Sequence, residues 1–214
     1  MFRIANEGYP FILGSLALTA LVFIFIPVAV AIPSVLTLFM LYFFRDPDRV
    51  APEGRGLFVS AADGKVILIK DVHESRHIHA GMKQISVFMT PFNVHVNRAP
   101  CSGRVKTVKH SKGRFLAAYR EDASFKNENI EMVLETEYGD ILVRQVAGFV
   151  ARRAVCRKKE GDVLTCGERY GIIKFSSRLD VYLPASVDIK VKLNDKVKAG
   201  ETVIAQIKKQ GYNR

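Results

Sequence analysis

The feature that most restricts the fold is an apolar block near the start of the chain, which runs over residues 11–44 without a charged residue. As one helix it would extend about 50 Å at ~1.5 Å per residue, well beyond the ~30 Å hydrocarbon core of a bilayer. Pro27 and Pro33 lie near its middle, where each removes a helical hydrogen-bond donor and favours a bend. We therefore predict a hydrophobic helical hairpin, with helices at 11–26 and 33–44 that are too short to cross a membrane comfortably and dip into one leaflet.

The flanks of this block indicate how it is oriented. A cleaved signal peptide is a poor alternative, because the block is too long and lacks a strongly basic start. A buried helical core of a soluble protein would rarely stay free of charge over this length. A hairpin returns both ends to one side, and Arg45 and Arg49 follow it directly. The positive-inside tendency therefore predicts a protein of the cytoplasmic (inner) membrane whose following domain faces the cytoplasm.

The charge of the chain lies almost entirely after the hairpin. The formal net charge is +11, and residues 1–44 hold only Arg3 and Glu7, which cancel. Such an excess predicts an anionic partner, either nucleic acid or an acidic membrane surface. Few aromatic residues stand among the basic ones, whereas RNA-binding modules stack bases on aromatic side chains. Beside a membrane anchor we expect anionic membrane lipid as the partner and no nucleic acid. The three cysteines form no C-x-x-C pair, which argues against a disulfide framework or a zinc site.

Residues 46–214 differ sharply from the hairpin at 1–45. Alternating and β-branched runs at 64–69, 85–89 and 130–135 predict strands, and turn residues separate them. No later stretch has a long helical period, so we predict a mostly β domain, a sandwich or barrel of short strands. The tail at 183–205 is similar to the hammerhead half of biotinyl and lipoyl domains, which implies a hammerhead-like C-terminal part. The lysine context of a carrier domain is missing.

Residues 171–180 carry two adjacent serines, Ser176 and Ser177. A serine hydroxyl can attack the carbonyl of its own preceding peptide bond, and elimination from the resulting ester then breaks the chain. The attack needs a bent backbone, which glycine reaches more readily than serine. Ser177 is therefore the candidate nucleophile and Ser176 a handicap. The alternative is a polar turn between two strands.

This segment resembles the G-x-I-x-F-G-S-R-x-D segment of the short, bacterial and archaeal-type phosphatidylserine decarboxylases, with Ser176 where the family has glycine. Three further segments resemble the family in the same order, and the four together span nearly all of the chain after residue 45. They are 60–66 (S-P-A-D-G-x-V, with Ala61 for proline), 89–100 (M-S-P-x-D-V-H-V-N-R-x-P, with Asn93 for aspartate) and 145–153 (Ala-Gly-x-x-Ala-Arg-Arg). Four ordered matches are much harder to obtain by accident than one.

The resemblance implies a proenzyme that cleaves itself between Ser176 and Ser177 into a β chain, 1–176, and an α chain, 177–214. Ser177 then becomes an amino-terminal pyruvoyl group, which forms a Schiff base with phosphatidylserine and allows its decarboxylation to phosphatidylethanolamine. His95 is expected to transfer protons, and Asp63 to orient its ring in a Ser-His-Asp arrangement. Because of Ser176, this chain is expected to remain an unprocessed, inactive precursor.

The residues also admit plainer interpretations. His95 fits a packed strand histidine, and Asp63 fits an ordinary Asp-Gly turn. For the whole chain, the second hypothesis is a non-enzymatic, membrane-anchored β-sandwich that binds anionic lipid or a protein partner. No metal is expected, because the residues around His77 and His79 are typical of a solvated hairpin. The oligomeric state is left open, with a homodimer among the alternatives.

Overall fold

The computed structural model describes residues 3–113, 127–148, 153–175 and 177–208. The chain forms two compact units. The first consists of Met1–Asp48 together with Pro91–Val94, and the second of Arg49–Thr90 together with His95–Arg214. The first unit thus extends past residue 45, where the sequence places the boundary, and it includes four residues from the segment that precedes His95.

The first unit contains the predicted helical hairpin, which is confirmed. A 3-10 turn at Asn6–Gly8 leads into α1 (Tyr9–Phe25), and a second at Pro27–Ala29 leads into α2 (Ala31–Phe43). Both α-helices begin two residues before the expected positions. Pro10 and Pro33 lie in their first turns, where a backbone N–H has no helical partner to lose, so proline does not delay either start.

The first helical stretch is longer than the sequence suggested. Asn6–Phe25 comprises 20 residues and, by length and composition, is long and apolar enough to cross a membrane. At ~1.5 Å per residue this corresponds to about 30 Å, the thickness of the hydrocarbon core. The expectation that both helices are too short is therefore wrong for the first, and it stands for the shorter Pro27–Phe43.

The end of α2 holds the chain segment that precedes His95. The Phe92 carbonyl accepts hydrogen bonds from the Arg45 guanidinium at 2.8 Å and from the Tyr42 hydroxyl at 3.1 Å. The guanidinium also lies over the Tyr42 ring, 3.8 Å from its centroid. Phe92 is thereby attached to the hairpin by Tyr42, near the end of the apolar block, and by Arg45, which follows the block directly.

The second unit is built from strands, which confirms the prediction of a mostly β domain. Their bounds are β1 (Leu57–Val59), β2 (Gly64–Glu74), β3 (Ala80–Met89), β4 (Val96–Arg98), β5 (Gly103–Ser111), β6 (Asn129–Thr136), β7 (Gly139–Ala147), β8 (Ala154–Cys156), β9 (Val163–Leu164), β10 (Arg169–Ile173), β11 (Ser177–Pro184), β12 (Val187–Ile189), β13 (Lys196–Val197) and β14 (Val203–Ile207).

Within the described residues these strands form three sheets. The largest has the order β13-β2-β3-β11-β7-β6-β5-β9 and curls into a half-barrel. Its register shifts in β2 and β5, and such bulges increase the local twist and bend a strand. The two small sheets have the orders β4-β10-β8 and β1-β14-β12. Since β13 pairs with β2 and β14 with β1, the predicted hammerhead-like tail is joined to the first strands of the unit.

The apolar core lies on one face of the central strand β11. Leu179 and Val181 belong to the core cluster, whereas Arg178 and Asp180 point to the opposite face. This is the alternation expected of a strand, in which successive side chains point to opposite sides. Ser177 begins β11 on the core face, so its position is set by a strand that is paired on both edges.

Candidate active site

Ser177 lies at the start of β11, between two other strands. It is opposite Met89 of β3 on one side and Ala147 of β7 on the other. Its side chain is fully buried, and its Oγ atom makes no hydrogen bond to any residue that the structure describes. A buried polar group without a hydrogen bond costs about 1–3 kcal/mol. Such a group in the middle of a sheet requires a functional explanation.

The backbone just before Ser177 is strained. Phe175 has a φ of 53°, in the left-handed region that bulky residues rarely adopt. A non-glycine residue held there costs on the order of 1–3 kcal/mol, and such residues cluster at active sites. Ser176 lies outside the described residues, so the predicted effect of its side chain on the backbone stays a prediction. The left-handed backbone is observed at Phe175, two residues before Ser177.

His95 is joined through its backbone to the segment that leads to Ser177. The His95 carbonyl accepts a hydrogen bond from the Ile173 amide at 3.3 Å, and β4, which follows directly, pairs with β10. The His95 side chain is fully buried. The structure therefore places His95 next to β10, the strand that ends four residues before Ser177. In the sequence, His95 and Ser177 are 82 positions apart.

A small polar cluster supports the same region, and the sequence analysis did not identify its members individually. The Gln145 amide nitrogen donates to the Asn97 side-chain oxygen at 2.8 Å and to the Val155 carbonyl at 3.3 Å. Gly171 lies against this cluster, because a Cβ atom there would come within 2.2 Å of the Val155 carbonyl oxygen. Only glycine permits that approach. Asn97 and Gln145 each lie inside a segment that resembles the family. That resemblance was the signal by which the sequence could have identified them.

The hydrogen bonds of Asp63 lead to Arg49 and to the loop at Ala199. Its carboxylate accepts two hydrogen bonds from the Arg49 guanidinium, one at 2.8 Å, and a third from the Ala199 amide, also at 2.8 Å. The planar guanidinium matches a carboxylate bidentately, and both side chains are largely buried. In this state Asp63 therefore joins Arg49 to the loop at Ala199. That Asp63 orients the His95 ring stays a prediction.

The opposite face of β11 carries a buried charge network. Arg178 and Asp180 pair at 2.6 Å, and Arg144 pairs with Glu131 at 2.7 Å. His77 Nε2 lies 2.9 Å from the second oxygen of Glu131. Burial alone would raise the pKa of the Glu131 carboxyl, but the His77 hydrogen bond and the Arg144 charge outweigh burial and hold that pKa below its usual value. The hairpin histidine that was considered for a metal thus serves an ion-pair network.

Loss of the Glu131 charge is expected to destabilise the protein. Glu131→Gln removes the carboxylate charge that pairs with the buried Arg144 and should cost about 3–5 kcal/mol of unfolding free energy at pH 7. Folding lowers the pKa of the Glu131 carboxyl. Its stabilising contribution is therefore fully present above the unfolded pKa of about 4.3 and is lost as the pH falls through the folded pKa. Urea unfolding in detergent, monitored by circular dichroism at several pH values, measures the loss of unfolding free energy and its pH dependence. Glu135→Gln, at an exposed position of the same strand, is the control and should change the unfolding free energy by less than about 0.5 kcal/mol. Equal losses for the two variants would contradict a stabilising role of the buried network.

Metal ligation finds no support in the described part of the chain. No group of three or more histidine, cysteine, aspartate or glutamate side chains there is arranged to hold an ion. The cysteines Cys101, Cys156 and Cys166 are free thiols, and burial raises the pKa of each. Thiols held in the protonated form are poor nucleophiles. These three thiols are therefore not activated for covalent chemistry.

Comparisons with known proteins bear on the same residues. A family model described as phosphatidylserine decarboxylase matches residues 36–205. A phosphatidylserine decarboxylase proenzyme of Geotalea uraniireducens (strain Rf4) is 47% identical over 203 residues, covering 94% of this chain and 95% of the relative. Proenzymes of the same name from Syntrophus aciditrophicus (strain SB) and Pelobacter propionicus are 45% and 46% identical, with at least 93% of this chain covered. The matches include the segments of Asp63, His95 and Ser177.

Proposed function

Because the chain belongs to the phosphatidylserine decarboxylase family, we propose that it converts phosphatidylserine to phosphatidylethanolamine and carbon dioxide with a pyruvoyl group derived from its own Ser177. As a member of that family it is a carboxy-lyase. The observation that carries the proposal is the buried Ser177 hydroxyl, which has no hydrogen-bond partner in the described residues and follows a strained backbone. A purely structural turn would not bury such a group in the middle of a sheet.

The proposed maturation uses groups of this chain alone. The Ser177 Oγ attacks the carbonyl carbon of Ser176, the amide becomes an ester, and the Ser177 nitrogen takes up a proton. Removal of the Ser177 α-proton then expels the carboxylate of residue 176, which leaves the β chain as 1–176. The dehydroalanine at position 177 is hydrolysed to pyruvoyl with release of ammonia. The left-handed backbone at Phe175 supports this route, because strain in the precursor is relieved when the chain breaks.

The residues around Ser177 fit the group that would form there. Ala147, the partner of Ser177 on β7, has a small side chain, and no charged residue is paired with Ser177 in the sheet. The pyruvoyl carbonyl, once formed, supplies an electron sink for the electrons that carbon dioxide leaves behind. His95 supplies a proton to the substrate carbon, because imidazole both gives and accepts protons near neutral pH. The buried site excludes bulk water, which protects the carbanion from uncontrolled protonation.

The proposed location is the cytoplasmic membrane, with the hairpin as anchor and the second unit in the cytoplasm. The apolar stretch Asn6–Phe25 and the exposed hydrophobic side chains on both helices support attachment to a bilayer. Arg45 and Arg49 at the end of the hairpin support the orientation, since cytoplasmic flanks are enriched in basic residues. Anionic lipid would then face both the substrate site and the basic second unit.

Comparison of this chain with Ser176→Gly tests the proposal. We expect the glycine variant to yield fragments 1–176 and 177–214, the smaller without a free amine, together with release of carbon dioxide from phosphatidylserine. We expect the unaltered chain to cleave much more slowly, because serine reaches the required backbone angles at a higher cost. Intact mass spectrometry and a decarboxylation assay in phosphatidylserine micelles measure both.

Two outcomes would contradict parts of this proposal. Equal cleavage of both chains would show that Ser176 is no obstacle to maturation. One stable chain without decarboxylation in both cases would favour the non-enzymatic alternative, a membrane-anchored β-sandwich that binds anionic lipid or a protein partner. A vesicle-binding assay would then still report the lipid interaction.

A further inference from the structure

A basic pocket lies beside the candidate active site, entirely within the second unit. Its volume is about 500 Å³, which is in the range of small-molecule sites. It is lined by His110, Lys112, Gly113, Glu128, Arg153 and Ala154. None of these residues has a role in the reaction as proposed above.

The walls of this pocket are bonded to the strand partner of Ser177 and to the segment that precedes the proposed scissile bond. On one side, the Glu128 carbonyl accepts from the amide of Ala147, the strand partner of Ser177, at 2.9 Å. On the other side, the Arg153 carbonyl accepts from the Lys174 amide at 3.1 Å. Because these are backbone contacts, the pocket cannot move far from Ser177 without breaking the sheet.

Among the described residues that line it, the pocket has more positive than negative charge. Glu128 is the single carboxylate of that set, and it is 3.2 Å from the His110 ring. Lys112 and Arg153 form no ion pair with any residue in the described ranges, and both are exposed. Elsewhere on this unit the basic side chains of Lys106 and Lys158 are paired with carboxylates at 2.8 and 2.6 Å. Two uncompensated cations that line one cavity indicate an anionic ligand.

We propose that this pocket binds the phosphodiester of the phosphatidylserine headgroup, with Arg153 and Lys112 as its ligands. The proposal rests on the proposed function, which places the substrate amine at Ser177. Two carbon atoms and one oxygen separate that nitrogen from the phosphorus, so the phosphate must lie close to Ser177. Arginine and lysine are the usual protein ligands of phosphate groups.

The chemistry of the reaction favours the phosphate over the substrate carboxylate as the bound anion. A cation held against the departing carboxylate would stabilise the ground state more than the transition state and would slow its loss. The phosphate keeps its charge throughout, so its binding orients the headgroup without opposing the reaction. Substrate and product headgroups should therefore bind this pocket alike.

Headgroup binding tests this assignment without turnover. Ser177→Ala keeps the full-length chain uncleaved, and isothermal titration calorimetry with glycerophosphoserine and glycerophosphoethanolamine measures the dissociation constants. In that background we expect Arg153→Gln and Lys112→Gln each to weaken both ligands about tenfold, with Arg153→Lys intermediate. Lys192→Gln removes the same charge from an exposed site outside the pocket and should leave binding unchanged. Selective binding of glycerophosphoserine would overturn the phosphate assignment in favour of the carboxylate.

Kinetics on the matured enzyme provides the second test. With a form that cleaves, Arg153→Gln should raise KM for soluble short-chain phosphatidylserine about tenfold, while kcat changes less than twofold and cleavage is unaffected. An effect seen only with vesicles would overturn the proposal, because it would assign the two cations to the membrane surface. The proposal would also be overturned if neither glycerophosphoserine nor glycerophosphoethanolamine bound the Ser177→Ala chain. Absence of cleavage and decarboxylation in all forms would instead refute the proposed function, and the calorimetry would remain informative.

Discussion

Replacement of Ser177 by alanine in the Ser176→Gly chain is expected to abolish both self-cleavage and decarboxylation, so that the protein persists as one chain in every preparation. The Ser176→Gly protein, which is expected to mature, serves as the unaltered reference for this prediction and for the one at His95. Alanine removes the only atom in the proposed scheme that attacks the Ser176 carbonyl, and no pyruvoyl group can then form. The loss should be complete within detection, because the scheme has no second nucleophile. Intact mass spectrometry and carbon dioxide release measure it directly.

The stability of this variant separates lost chemistry from lost folding. The Ser177 Oγ is buried and makes no hydrogen bond within the described residues, so its removal leaves no polar partner unsatisfied. Ser177→Ala should therefore keep or slightly raise the unfolding free energy. Ser75→Ala, at an exposed hairpin position, is the control and should cleave like the unaltered chain. Fragments from Ser177→Ala would identify another nucleophile and overturn the scheme.

The second large effect is expected at His95. His95→Gln keeps a hydrogen-bonding side chain of similar size but removes the group that transfers protons, so decarboxylation should fall by a factor of about 10²–10⁴. Cleavage should also slow, because the Ser177 hydroxyl loses a candidate base. The measurements are kcat in detergent micelles and the half-time of fragment formation, each over a range of pH.

The control for His95 is another histidine of the same unit. His73 is exposed on β2 and contributes to none of the proposed steps, so His73→Gln should retain the unaltered rate and pH profile. Circular dichroism should show that both variants are folded. A His95→Gln enzyme with normal kcat and an unchanged pH profile would reduce His95 to the packed strand histidine that the sequence also allowed.

Much of the fold could be anticipated because it depends on local patterns. The charge-free block predicted the hairpin, and the β-branched runs predicted a β domain, since periodicity and turn residues act over a few positions. The curl of the large sheet and the joining of its tail to β1 and β2 could not be anticipated. They depend on strand pairings between distant residues, such as Ser177 with Met89 and Gln206 with Leu57, for which a single sequence has no signal.

The candidate site divides in the same way. Ser177 and His95 could be proposed from the sequence because the expected reaction requires those residue types in recognisable segments. The partner of Asp63 could not, because Arg49 is a flanking basic residue in the sequence and becomes a buried bidentate partner only when the chain folds. The pairing of Glu131 with Arg144 could not be predicted either. In the sequence they are ordinary alternating residues of two strands, and only the folded sheet brings them together as an ion pair.

The sequence by itself determined the hairpin, the class of domain and the serine that is expected to react, because each follows from residue type and local order. Only the tertiary structure decided that the Ser177 hydroxyl is buried, that Arg49 occupies the Asp63 carboxylate and that Lys112 and Arg153 face one pocket beside the reacting bond. These facts depend on which distant residues meet and how far water is excluded from them. Burial and long-range pairing arise from packing, and no single segment of the chain encodes them.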